Sequence, residues 1–439
     1  EGDPSTDRAF KAQILDMIAG LYSALAEYSD SLNYYNQSLE IKLQIFRDEI
    51  KPLGVSYSYI GHVQHLMGEY KKSMETLSKA RDILLNDRDS EDKAYLFYSL
   101  GELYDSLGNY EKSRDYHLES LRIREALPEK NALKKTISTI AVGMSHFTLC
   151  DFESSKAFFE QAYTASRENF GTYHPIVAKA LKHEAMLYRT LANYHLAEEL
   201  YKRALDIELE FYPYDHPEIA RTFKGLGQVY FSLFENEKSM EYMVKALEIR
   251  CKIFGECHHE VASVLSSIGS LYNAKGETNK ALEYQNRALK IYESISPSSP
   301  DVANVLQIIG DEYATLGEYE KSLELTEKAM EMRRKFFGEM HRDIADSYHS
   351  YCLILEDLGK YDKALEYAKK GLEIRKKLFS ENHPLVSFLL KTIGNIYSSL
   401  GQYDLALEYL QKSYDIKVKV YGDNHPSLSS SLISLGNVM

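Results

Sequence analysis

One phrase recurs down the whole chain, and it limits what the chain can fold into more than any other feature. Its fullest form is Ile393-Gly394-Asn395-Ile396-Tyr397-Ser398-Ser399-Leu400-Gly401-Gln402-Tyr403-Asp404-Leu405-Ala406. With the small residue Gly394 as anchor, its equivalents are Ala19, Gly61, Gly101, Gly143, Ala185, Gly227, Gly269, Gly310, Cys352 and Gly436, spaced by 40 to 42 residues. Twelve positions after each of the first ten anchors the residue is again small: Ser31, Ser73, Ser113, Ser155, Ala197, Ser239, Ala281, Ser322, Ala364 and Ala406. The same holds nineteen positions after, from Ser38 and Ala80 to Gly371 and Ser413. Small side chains let two helix backbones approach closely, so each repeat is predicted to be a tightly packed antiparallel helix pair. No strand pattern competes, and the expected class is an all-α solenoid.

The punctuation agrees. Gly171, Gly255, Gly338 and Gly422 share one register just after the second helix, where a left-handed cap favours glycine. The next first helix opens with Pro175, Pro217, Pro300, Pro384 or Pro426, since proline fits the first helical turn. Tyrosine recurs three, nine and fifteen positions after the anchors. Those registers hold 20 of the 35 tyrosines, which makes the aromatic content chiefly packing. His174, His216, His258, His341, His383 and His425 occupy a single loop register, so repetition argues for architecture over acid/base or metal chemistry. Cys251 with Cys257-His258-His259 lacks the two close pairs of a zinc site. GxxxxGK, GxGxxG, GxSxG and HExxH are missing, and neither a cofactor nor a catalytic group is expected.

Charge narrows the partners. With 52 Lys and Arg against 65 Asp and Glu, the net charge of −13 disfavours a sequence-independent hold on nucleic acid phosphates. No apolar run has the roughly 18 residues of a membrane span, no secretory signal opens the chain, and four dispersed cysteines suit a reducing compartment. The expectation is a cytoplasmic protein. The organisation expected is a leader over residues 1–7, ten tandem repeats over 8–426, and the first helix of an incomplete eleventh over 427–439. That last helix, with Leu428, Leu432 and Leu435, would lack its covering partner, so continuation of the chain or self-association through this edge is expected.

The register of small residues and the helix-turn-helix unit resemble the tetratricopeptide repeat, throughout residues 8 to 439. The 42-residue unit and its Asp215-His216-Pro217, Asn382-His383-Pro384 and Asn424-His425-Pro426 loops are similar to the repeats of kinesin light chains and nephrocystin-3. The resemblance implies a right-handed superhelical solenoid whose concave groove receives short peptides carrying an aromatic residue among acidic ones. Where the kinesin light chain family has paired asparagines before the anchor, this chain has Lys391-Thr392, Ser266-Ser267 and Lys224-Gly225.

Function in such an array belongs to positions that vary while the scaffold repeats. On a 3.6-residue helix, positions six and three before the anchor and one and four after it form one stripe opposite the packing face. In repeats five and six it reads Lys179, Lys182, Met186, Arg189, Arg221, Lys224, Gln228 and Phe231. Repeat four supplies Ile137, Ile140, Met144 and Phe147, with Tyr95 and Tyr98 before them, while Asn304, Asp311, Asp346, His349 and Glu356 turn repeats eight and nine polar or acidic. The candidate site is therefore a basic band (Lys179, Lys182, Arg189, Arg221, Lys224) beside an apolar shelf (Ile137, Ile140, Met144, Phe147, Met186, Phe231). It suits an acidic peptide with one or two bulky anchors. The expected role is a non-catalytic scaffold or adaptor, and the alternative is the sensing or regulatory arm of a larger effector.

Overall fold

The computed structural model describes residues 4–25, 27–46, 50–128 and 131–439, with side chains from residue 7 onward. It divides into two compact units between Thr148 and Leu149. In the first, α1 (Pro4–Ala24) pairs with α2 (Tyr28–Ile45), α3 (Lys51–Leu66) with α4 (Tyr70–Leu84) and α5 (Glu91–Ser106) with α6 (Tyr110–Ala126), and α7 (Ala132–Thr148) packs on α6. In the second, α8 (Phe152–Phe170) packs on α9 (Pro175–Thr190), which pairs with α10 (Tyr194–Phe211). Five further pairs follow: α11 (Pro217–Ser232) with α12 (Asn236–Phe254), α13 (His259–Ala274) with α14 (Thr278–Ile295), α15 (Pro300–Thr315) with α16 (Tyr319–Phe337), α17 (Arg342–Asp357) with α18 (Tyr361–Leu378), and α19 (Pro384–Ser399) with α20 (Tyr403–Tyr421). A 3-10 turn, Pro426–Leu428, leads into α21 (Ser429–Gly436).

All secondary structure among the described residues is helical. Nine repeats form the expected helix pair, whereas the helices of repeat four, α7 and α8, belong to different units. Their turn is where Cys150 replaces the glycine of the phrase, at φ 57°.

The small registers act as predicted, with an addition. Ala197, Ala281, Ala364 and Ala406 are fully buried. At three of the six serines of this register the hydroxyl donates to the facing anchor carbonyl, Ser31 to Ala19 (2.8 Å), Ser73 to Gly61 (2.7 Å) and Ser239 to Gly227 (2.7 Å), whereas the buried hydroxyls of Ser113, Ser155 and Ser322 have no hydrogen-bond partner. At Gly394 an added Cβ would stand 2.7 Å from Leu410, so the close approach is real. The core passes from one repeat to the next: between repeats seven and eight, Val261, Leu265, Val302, Leu306 and Ile309 cluster with Ala288 and Ala329. Each such large aliphatic side chain contributes about 1.5–3 kcal/mol.

The loop histidines are helix N-caps. His174, His216, His258, His341, His383 and His425 each accept, at Nδ1, from the backbone N–H two residues on, at 3.1–3.2 Å. The preceding glycines sit at φ 76–80° with ψ near 180°, not in the left-handed helical region expected of a cap. That mirror-extended conformation is open essentially to glycine alone, a stricter demand than the one read from sequence. At the C-terminal edge Leu428 and Leu435 are buried, contrary to the bare apolar face expected there, while Leu432 and Ile433 stay exposed. No helix among the described residues is long and apolar enough to cross a membrane.

Candidate functional site

In the second unit the stripe on α9 and α11 is half-open, and the structure sorts its members. Lys179, Met186 and Arg189 are partly exposed, as are Lys224 and Gln228, whereas Arg221 and Phe231 are exposed. Lys182 is not available. It is 7% exposed, and its Nζ lies 2.6 Å from both Glu208 on α10 and Glu218 on α11, with Glu208 also accepting from Thr222. Burial pushes the Glu208 carboxyl up against the pull of Lys182. At Glu218 burial acts the same way, but Lys182 and Arg221 outweigh it and hold the carboxyl at about 2.

The reason is a register on the second helix that first-helix reasoning passed over. Twenty-three residues after the anchor stand Lys42, Arg124, Arg250, Arg333, Arg375 and Lys417, all buried. Five of them donate to the backbone carbonyl ten residues on, at the start of the next first helix: Arg124 to Lys134 (3.1 Å), Arg250 to Glu260 (2.9 Å), Arg333 to Asp343 (3.3 Å), Arg375 to Leu385 (2.6 Å) and Lys417 to Ser427 (3.1 Å). Each thus bolts one repeat to the next. Repeat five inverts the pattern: Glu208 occupies the bolt position, so the cation must come from Lys182 on the first helix. The signal was in the sequence, as the one acid at a register that otherwise holds six bases and the uncharged Leu84, Ser166 and Tyr292.

Lys224 differs. Its Nζ donates to Ser263 at 2.8 Å, and no carboxylate among the described residues comes within ion-pair distance. Burial, then repulsion from the Arg250 guanidinium, pushes it down to about 8. Arg189 likewise keeps a buried Nε without a hydrogen-bond partner, while Arg221 pairs with Glu218. The band is therefore Lys179, Arg189, Arg221 and Lys224, with Met186 and Phe231 beside it. The polar end of the stripe is largely occupied by its own scaffold: Asp346 pairs with Arg375 at 2.6 Å, Asn304 accepts from Arg333 at 2.6 Å, and His349 meets Thr392 at 3.0 Å. Asp311 is accessible yet walled by protein, which pushes its carboxyl up to about 6.

In the first unit, Ile137, Met144 and Phe147 are half-buried on α7, and Ile140, at 3% exposure, belongs to the core and leaves the shelf. Tyr95 and Tyr98 join an aromatic run: Tyr59 to Tyr95 centroids are 4.6 Å apart, His62 meets Tyr95 edge-on at 5.6 Å, and the Arg124 guanidinium lies 5.9 Å from the Tyr98 ring. Burial pushes His62 down to about 3, so this face carries neutral imidazole. Among the described residues no three His, Cys, Asp or Glu side chains are grouped to hold a metal ion.

A family model described as "Tetratricopeptide repeat" matches residues 53–126, 136–210, 185–252, 255–335, 343–417 and 390–439. The chain belongs to the tetratricopeptide repeat family. No curated protein matches this tetratricopeptide repeat chain. Among solved structures it is similar to a Rap protein complexed with competence and sporulation factor, at 14% identity and TM-score 0.54, over 85% of this chain and 98% of that one. It is also similar to the apo form of RapI (19% identity, TM-score 0.48, 64% of this chain and 97% of that one). A third is BtubC (BKLC) from P. vanneervenii (21% identity, TM-score 0.44, 53% and 93%). At such identities the likeness is one of fold.

Proposed function

We propose that this tetratricopeptide repeat chain is a non-catalytic interaction scaffold that binds a linear, acidic segment of a partner protein along the first-helix stripe of its second unit. By repeat length and His-Pro cap we group it with the kinesin light chain and nephrocystin-3 type. The observation that carries the reading is Lys224, a cation held in the half-open stripe with a serine hydroxyl as its partner and no carboxylate. Scaffold carboxylates pair directly with the buried cations on either side, Lys182 and Arg250, and leave this one without a direct ion pair, Glu260 acting on it only from beyond ion-pair distance. A peptide carboxylate at Lys224 would take the place of the hydration that burial removes, and charge-assisted hydrogen bonds of that kind are the strong ones. Arg189 and Lys179 extend the band, while Met186 and Phe231 offer apolar surface for an anchor side chain. The apolar anchor supplies most of the affinity, and the cations supply selectivity and on-rate. The half-buried Ile137, Met144 and Phe147 form a separate apolar surface on the first unit.

The test is fluorescence anisotropy with acidic peptides bearing one Phe or Leu. Lys224→Glu is expected to weaken binding by about tenfold or more, and Phe231→Ala to weaken it without altering its salt dependence. Unchanged affinity in Lys224→Glu, with the fold intact by circular dichroism, would remove the proposal.

A further inference from the structure

Three contacts inside the second unit join residues that lie more than five helix pairs apart in the repeat order. Cys150 Sγ is 3.3 Å from His383 Nε2, across 233 positions. His425 Nε2 is 3.0 Å from the carbonyl of Thr190, across 235 positions. The Phe152 and Tyr421 rings stack with centroids 5.8 Å apart and planes at 27°. In a stacked array each module touches its neighbours, so contacts at this separation require the unit to curl through a full circuit. The edge carrying the helix turns of repeats four and five then meets the edge carrying the His-capped loops before α19 and α21.

The chemistry of that meeting is fixed by the caps. Nδ1 of His383 accepts from the Leu385 N–H, and Nδ1 of His425 from the Ser427 N–H. With Nδ1 committed as acceptor, the proton sits on Nε2 and faces outward, donating to the Cys150 sulfur and the Thr190 carbonyl. Each imidazole is braced from behind by an aromatic ring, Phe379 at 4.1 Å and Tyr421 at 4.3 Å. The turns are strained as well. At the register seven past the anchor, Gly68, Gly108, Gly276, Gly317, Gly359 and Gly401 take positive φ, as the turn demands, but repeats four, five and six hold Cys150 at 57°, Ala192 at 60° and Phe234 at 61°. A thiol at the first of these strained positions reaches its imidazole partner; glycine would relieve the strain and lose the contact.

We propose that these contacts are a latch: the second unit is a superhelical turn fastened to itself, helix-turn edge to loop edge, and its pitch changes only when the fastening opens. An unlatched solenoid stretches gradually, each interface yielding a little. A latched one has two states, closed and sprung, and anything that widens the turn must first break two hydrogen bonds and a ring stack together.

Hydrogen exchange with mass spectrometry on the full chain tests this, using His383→Asn with His425→Asn. Asparagine keeps the N-cap acceptor but is too short to reach across the turn. The closed latch predicts exchange about tenfold or more faster at residues 149–154 and 190–193, with the Leu385 and Ser427 amides still protected. Tyr421→Leu, which removes the ring stack and leaves both caps, is expected to speed exchange in the same segments. Exchange at those segments equal to that of the unaltered chain in both variants would overturn the latch. So would loss of protection confined to Leu385 and Ser427, since that is a cap effect alone.

Discussion

Glu312 on α15 offers the sharpest test of how this array is held together. It stands two residues after its anchor, where the other repeats of the second unit bury Leu187, Val229, Leu271, Ile354 and Ile396. Glu312 is fully buried in the same place, and neither carboxyl oxygen has a hydrogen-bond partner. Burial, reinforced by Asp311, pushes the carboxyl up from 4.5 to about 7. A carboxyl whose pKa is raised on folding binds its proton more tightly in the native state, so stability falls as pH rises from about 4.5 to about 7 and then levels off. At about 1.4 kcal/mol per unit the ionisation penalty is about 3.5 kcal/mol, and water reaching the adjoining stripe reduces it to the order of 2 kcal/mol. Glu312→Leu is therefore expected to stabilise the unit by about 2–3 kcal/mol at pH 8 and by roughly 1 kcal/mol at pH 4.5, where only the unpaired hydroxyl is removed. Glu312→Gln should retain the polar burial and lose the pH dependence. Repeat arrays depart from two-state unfolding, so the readout is urea-dependent exchange of the α15 and α16 amides at the two pH values. A Gln variant that tracks the unaltered chain across pH, or a Leu variant less stable at pH 8, would refute the reasoning.

Removing one partner of a buried pair leaves a bare charge, so Lys182→Met is expected to lose about 3–5 kcal/mol, most of it recovered in Lys182→Met with Glu208→Leu; thermal unfolding of both variants checks the pair. Acidic-peptide affinity should decline as pH rises through about 8, because Lys224 loses its charge there, and Lys224→Arg should flatten that decline in anisotropy titrations. Phe234 is 89% exposed at φ 61°, so Phe234→Gly is expected to raise stability by about 1 kcal/mol, read as a higher melting temperature.

The features that were legible from sequence are those that repeat locally. Ala197 and Ala281 announce a helix crossing because a large side chain there would separate the backbones, and His216-Pro217 announces a helix start because cap and first turn are adjacent in the chain. Lys182 was misread because its fate depends on Glu208, 26 residues away on another helix, and a stripe drawn on one helix cannot see that partner. The same applies to Ile140: it obeys the helical stripe but is covered by packing that the stripe does not encode. The pairing of Cys150 with His383 lay wholly outside local pattern, since it depends on pitch summed over the intervening repeats.

The inversion at repeat five bears on where specificity can arise. A bolt made from the second helix, as at Arg333 or Arg375, leaves the three-before-anchor position of the first helix free to vary, and it does vary: Lys224, Gln307, His349 and Lys391. Repeat five uses that position for Lys182 and so removes one variable site from the stripe. Lys224, the next residue in the same register, is then the first cation of the row without a carboxylate at ion-pair distance among the described residues. A cation without a direct carboxylate partner marks, at Lys224, the place where the recurring bolt has released a side chain from structural duty, and that place follows from reading both helices of a repeat together.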